Sequence, residues 1–267
     1  MPNIWAAVDE LDEDTQNALA EVLETRGGED AQGVMRDAFL AAIPFASGSS
    51  VLEVGCGTGV LTRLIVQRPG VCSVVAVDRA PRLIDKARSA LGEVPGLQFV
   101  AADARSLPFD DVSRDVAIFD SCLAHVPEPE RAVAEACRVL RPGGHLGIFD
   151  GDYASTSVAL GPDDPLQLCV DATMEHTTDD LWLVRRLPAL VRGQGFELVT
   201  FQGYSYLNTD GTGYMLSLVD RGADLLQSWG RIDAKRAAVL KHQARHRAAA
   251  GEFFGVVGYL TLVARKL

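Results

Sequence analysis

Between residues 50 and 150 the chain alternates short, continuous apolar runs with stretches whose apolar positions recur every three or four residues. Val51-Leu52-Glu53-Val54, Val74-Val75-Ala76-Val77-Asp78, Leu97-Gln98-Phe99-Val100-Ala101, Asp115-Val116-Ala117-Ile118-Phe119-Asp120 and His145-Leu146-Gly147-Ile148-Phe149-Asp150 read as strands. Runs without polar alternation suit strands covered on both faces, as in a parallel sheet. Between them, Val60, Leu61, Leu64 and Ile65 form a helical stripe from near Thr58 to the Pro69-Gly70 break, and Ala80-Pro81 opens another helix. Val133, Ala136, Cys137 and Leu140 recur at i, i+3, i+4 and i+7, and Arg141-Pro142-Gly143-Gly144 ends that helix. Strand and helix in strict alternation predict a doubly wound α/β sheet.

Two further strands are expected near the end of the chain, at Phe196–Phe201 after a Gly193-Gln194-Gly195 break and at Gly255–Ala264. Three segments fall outside this core. Residues 1–46 carry an apolar helical face of Val34, Met35, Ala38, Phe39 and Ile43. Residues 152–190 contain Tyr153, Glu175, His176 and Trp182. Residues 207–251 predict one helix with Tyr214, Leu218, Leu225 and Trp229 on one face and a second, basic helix over 231–249. Ligands of open α/β sheets bind beyond the carboxyl ends of the strands. These segments are therefore expected to cap that edge and exclude water, within one domain whose core spans 48–151 and whose last strands span 196–206 and 252–265.

With 267 residues, 48% of them hydrophobic, the chain can bury one sizeable core. Its formal charge of -11 argues against nucleic acid or anionic membrane as a partner. Cysteines 56, 72, 122, 137 and 169 show no metal-ligand spacing, so no metal site is expected, and they fit a reduced, cytoplasmic setting. The first residues show no charged-then-apolar leader, and Phe253–Ala264 is too short to span a bilayer as a helix.

The chemistry concentrates at the strand ends. Gly55-Cys56-Gly57-Thr58-Gly59 follows the first strand, with glycines at every second position, so the backbone can turn sharply and approach a ligand closely. A dinucleotide loop wants a third glycine three residues after the second, where this chain has Val60. Asp78, about 20 residues past the loop, is placed to accept hydrogen bonds from ribose hydroxyls, and it also suits a cap for the next helix. Leu107-Pro108-Phe109, His125-Val126-Pro127-Glu128-Pro129 and Leu140-Arg141-Pro142-Gly143-Gly144 follow in order.

Over residues 30–150 this combination closely resembles the class I S-adenosylmethionine (SAM)-dependent methyltransferases typified by ubiquinone and menaquinone biosynthesis enzymes. The resemblance implies a Rossmann-like seven-stranded sheet with an antiparallel last strand. It implies a SAM site formed by Glu53, Gly55, Cys56, Gly57, Thr58, Gly59, Asp78, Arg79, Asp103, Ala104, Asp120 and Ser121. Asp103 would accept from the adenine amine, while Glu53 and Asp120 would lie near the cofactor's amino-acid end. Arg36 would pair with the cofactor carboxylate. His125 and Tyr153 are the candidates for acid-base work, and His176, Tyr204, Tyr206, Tyr214 and Trp229 for substrate contact. The expected function is methylation of a small, mostly apolar metabolite. Three alternatives stay open: a NAD-dependent oxidoreductase, a non-catalytic SAM-binding protein, and an enzyme using SAM for a non-methylating reaction.

Overall fold

The computed structural model describes residues 3–211 and 213–267. A short 3-10 helix, Ile4–Glu10, precedes α1 (Glu13–Gly27) and α2 (Asp30–Ala41). The alternating core follows: β1 (Ser49–Val54), α3 (Thr62–Ile65), β2 (Val71–Asp78), α4 (Pro81–Leu91), β3 (Leu97–Ala101), β4 (Arg114–Asp120), α5 (Pro129–Val139) and β5 (Leu140–Ser157). The chain then continues through α6 (Gln167–Thr177), α7 (Leu183–Gly193), β6 (Phe196–Asn208), α8 (Gly213–Ser228), α9 (Ala234–Ala249) and β7 (Gly255–Lys266).

One sheet holds all seven strands, in the order β3-β2-β1-β4-β5-β7-β6. β7 runs antiparallel to both its neighbours, and the remaining pairings are parallel. The reversal of order between β1 and β4 opens a crevice at their carboxyl ends, where the glycine loop leaves β1. Val51, Leu52, Val54, Val116, Ala117, Ile118 and Phe119 are at most 1% exposed, as continuous apolar runs in a doubly covered sheet require. α2 packs directly on β5: a Cβ on Gly147 would come within 3.1 Å of Phe39 Cζ. Phe39, Phe149 and Tyr259 stack in series beside it, with centroid separations of 5.8 and 5.0 Å.

Several sequence expectations shift. The helix after the glycine loop is the single turn α3, because residues 57–61 stay in turns around the positive-φ Gly57 and Gly59. Leu140 is extended and starts β5 rather than completing α5's apolar face. β5 is far longer than 145–150, so residues 152–157 belong to the sheet, where Asp152 and Ser157 pair with β7. The segment 152–190 also divides in function. α7 flanks the sheet, with Leu187 and Val191 fully buried, while α6 crosses α8. That crossing is close: a Cβ on Gly222 would lie 1.7 Å from the Cys169 carbonyl oxygen, and Thr173 donates to the Leu218 carbonyl at 2.8 Å.

Candidate cofactor and acceptor cleft

A cleft of about 1280 Å³, counting its open mouth, lies beyond the carboxyl ends of β1, β2 and β4. Its floor is the glycine loop. Gly55 has φ +79°, and a Cβ there would sit 2.4 Å from Cys122 Sγ. Gly57 has φ +52° and meets Leu23 of α1 at 2.9 Å from an added Cβ. The glycines are thus required by close packing from two sides as well as by backbone conformation.

Asp78 Oδ2 accepts the Gly57 N–H at 2.8 Å and Oδ1 accepts the Ala80 N–H at 2.9 Å. Asp78 thus anchors the glycine loop and the turn leading into α4, and each carboxylate oxygen keeps a further lone pair for a ligand. Burial pushes the Asp78 carboxyl upward against these hydrogen bonds. Asp103 is held bidentately by Arg105, at 3.0 and 2.7 Å, which keeps its carboxyl down at about 2. Ala104 and Arg105 line the cleft beside it.

At the other end Arg36 is 1% exposed and donates from Nε to Asp120 Oδ2 at 2.7 Å. Its Nη1 is buried without a partner. Ser121 adopts φ +49° and donates to Asp120 Oδ1 at 3.0 Å. Glu53 is 1% exposed and accepts from Thr62 Oγ1 at 2.5 Å. Burial pushes the Glu53 carboxyl up to about 8. Folded Glu53 therefore holds its proton at pH values where the unfolded residue, near 4.5, has lost it. Stability from this group is full below about 4.5 and is lost as pH rises through 8. In thermal melts without ligand, Tm is expected to fall from pH 5 to pH 8 by several degrees more in the wild type than in Glu53→Gln. Identical pH slopes would contradict the assignment.

His125 sits on a turn after β4 that Asp150 clamps by accepting the Ala124 and Gly151 N–H groups at 3.1 and 2.8 Å. Its Nδ1 lies 2.6 Å from the Thr177 carbonyl, which can only accept. Nδ1 must therefore carry the proton, leaving Nε2 as an acceptor. Burial lowers the imidazole to about 4, so it stays neutral through the physiological range. The Tyr153 ring lies tilted against the His125 ring at 5.4 Å, and its buried hydroxyl has no partner. Burial raises that phenol well above its ordinary value, so it is a hydrogen-bond donor and not a phenolate.

The structure brings Glu53, Gly55, Cys56, Gly57, Thr58, Asp78, Arg79, Asp103, Ala104, Asp120, Ser121 and Arg36 to one cleft, together with His125, Tyr153 and Tyr214. Gly59 lies behind the wall, against Leu91 and Ala87. The other expected substrate contacts are absent from the lining. Tyr206 donates to Glu29, which also accepts the Tyr214 N–H and so ties β6 to α8. Tyr204 bonds Gln202 on the edge strand. His176 meets Trp229 edge-on at 6.2 Å, and Trp229 is stacked under Arg231. These side chains brace the cap from outside. The sequence reading missed Trp5, Arg26, Met174 and Arg221, which line the cleft from the 3-10 helix, α1, α6 and α8. Among the described residues no helix is long and apolar enough to cross a membrane, and no cluster of three metal-binding side chains occurs.

A doubly wound sheet with an antiparallel seventh strand, and a glycine-floored cleft at its switch point, define a Rossmann-like fold whose cleft lies where such sheets bind their ligands. Residues 52–148, somewhat more than a third of the chain, match the model of a methyltransferase domain family. The phthiotriol/phenolphthiotriol dimycocerosates methyltransferase of Mycobacterium leprae is 34% identical over 174 residues, covering 59% of this chain and 63% of that protein. The chain thus spans less than two thirds of that relative's length. A 37.1 kDa protein of a Streptomyces fradiae transposon is 28% identical over 243 residues, covering 88% of this chain and 68% of that protein. Geranyl diphosphate methyltransferase, solved in complex with SAM, shares the fold with TM-score 0.55 at 14% identity, covering 88% of this chain and 86% of that one.

Proposed function

We propose that the protein binds SAM in this cleft and transfers its methyl group to a small, largely apolar metabolite. The observation that carries the reading is the donor and acceptor set around the glycine loop, with Asp78 at one end and the orphaned Nη1 of Arg36 at the other. A nucleoside bearing an amino acid matches that order. Asp78 would accept from the ribose hydroxyls and the Asp103-Ala104 pair would meet adenine. Asp120 and Glu53 would face the ammonium, and Arg36 Nη1 the carboxylate. Bound SAM supplies a sulfonium-activated methyl group.

The protein's own task is then to align an acceptor atom and keep water out. Holding the reactants in near-attack geometry contributes on the order of 7–11 kcal/mol. Val60 in place of the third dinucleotide glycine speaks against NAD. Tyr153, Met174 and Tyr214 give the acceptor side an apolar wall, and a methyltransferase relative supports methyl transfer. Neutral His125, with Nε2 free to accept, is suited to orienting an acceptor hydroxyl rather than to strong base catalysis. The five free cysteines suit a reducing, cytoplasmic setting, and no nucleic acid or membrane is invoked as partner.

Incubating the protein with methyl-labelled SAM and a metabolite extract is expected to yield a labelled small molecule by mass spectrometry. Label retained wholly in SAM would contradict transferase activity. In the same assay His125→Ala is expected to lose less than about tenfold in rate, whereas a true general base contributes ~100-fold or more.

A further inference from the structure

The arginines of the cleft are not all paired with acids. Three of its arginines are matched by acids: Arg36 by Asp120 at 2.7 Å, Arg79 by Asp9 at 2.9 Å, and Arg105 by Asp103 at 2.7 Å. Arg26 and Arg221 are not. Among the described residues neither has a carboxylate within 4 Å. Arg26 is 9% exposed, and its Nε is buried without a partner. Arg221 is half-buried, and its Nε reaches only the Ser217 carbonyl one turn back in its own helix, at 3.3 Å. Burial and the nearby Arg26 lower the Arg221 guanidinium against Tyr214, whereas the facing tyrosines and Asp120 raise Arg26 despite its burial. Two guanidiniums that repel each other inside a partly desolvated cleft are costly unless an anion joins them.

Their placement says which ligand that anion belongs to. Arg26 ends α1 and Arg221 lies in α8, helices that pack against one another on the cap side of the cleft. Tyr214 and Arg221 are two turns apart, hence on one face of α8, and the Arg26 guanidinium stands 6.0 Å from the Tyr214 ring. A cation pair beside an aromatic wall matches a molecule with a flat apolar body and a charged end. The cofactor carboxylate already has a donor in Arg36 Nη1, next to Asp120. The basic α9, an obvious alternative from sequence, contributes no side chain to the cleft lining. Lys241, Arg245 and Arg247 pair with Asp224, Asp220 and Asp164, and Arg231 just before it pairs with Glu175.

We propose that the methyl acceptor is an organic acid whose carboxylate is held between Arg26 and Arg221, with its apolar body against Tyr214. This rests on the cleft being the SAM and acceptor site, and it narrows the largely apolar metabolite to an amphiphilic one. Arginine's planar fork suits bidentate recognition of a carboxylate.

The test is calorimetric titration of the protein saturated with S-adenosylhomocysteine, using benzoate, 2-naphthoate and the corresponding neutral amides as probes. At least one acid is expected to bind about tenfold or more tightly than its amide, as a charge-assisted hydrogen bond implies. That preference is expected to vanish in Arg221→Gln and in Arg26→Gln and to return in part in Arg221→Lys. S-adenosylhomocysteine affinity of Arg221→Gln should stay within about threefold of wild type, and circular dichroism melts identify any variant that fails to fold. Equal binding of acids and amides, no measurable binding of any acid, or an acid preference that survives in a folded Arg221→Gln would overturn the proposal. So would loss of S-adenosylhomocysteine affinity in Arg221→Gln, which would give the arginine to the cofactor. If wild type binds no S-adenosylhomocysteine at all, the proposed function fails instead. The acid-over-amide comparison, run without it, still decides the anion site.

Discussion

Asp78→Ala is expected to weaken SAM binding by on the order of 100-fold. The residue would supply charged acceptors to two ribose hydroxyls, and hydrogen bonds to charged groups contribute about 1.5–3 kcal/mol each, or about 3 kcal/mol together at the lower bound. The loss extends beyond the ligand. The same carboxylate accepts the Gly57 and Ala80 N–H groups, so its removal leaves Gly57 unanchored at the point where Leu23 presses on the loop. Asp78→Asn retains one acceptor oxygen and should fall between wild type and Asp78→Ala. Unchanged affinity in Asp78→Ala would place the ribose elsewhere.

Arg36→Met is expected to destabilise the fold by about 3–5 kcal/mol, read by urea denaturation. Breaking one side of a buried ion pair leaves the other charge unpaired, and that penalty exceeds the net value of the intact pair. The side chains of Arg36 and Asp120 are 2% and 8% exposed, so little water can replace the lost partner. Arg36→Met combined with Asp120→Asn should recover much of the loss, because no uncompensated charge remains. Additive effects would show that the two residues do not act as a unit. S-adenosylhomocysteine affinity should drop in both variants, since both remove Nη1.

The parallel core was legible because its strands are largely apolar runs, with an acid or a glycine at or within two residues of the expected end. The wall around the glycine loop was legible for the same reason, since Asp78, Asp103 and Asp120 are fixed at strand ends by register. Arg26 and Arg221 were not legible. A lone arginine in an amphipathic helix looks like a solvated side chain, and only the docking of α1 against the loop and α8 turns these two inward. Tyr204 and Tyr206 misled for the opposite reason. They lie on β6, the outermost strand beyond β7, where pairing order carries them away from the cleft although their chemistry suits a site. β5 outran its expected end because Tyr153 to Ser157 mixes polar and apolar residues, and its extension is set by β7 beside it. The cap helices followed the aromatic spacing of α8, but Gly222, which lets α6 cross so closely, carries no periodic signal.

The loop from Gly55 to Gly59, with the acids at the strand tips, is proposed to accommodate a sulfonium nucleoside. Isothermal titration of the wild-type protein with SAM and, separately, with NAD addresses it without knowledge of the acceptor. Saturable 1:1 binding of SAM with no detectable heat from NAD is the predicted result. NAD binding more tightly than SAM would contradict it.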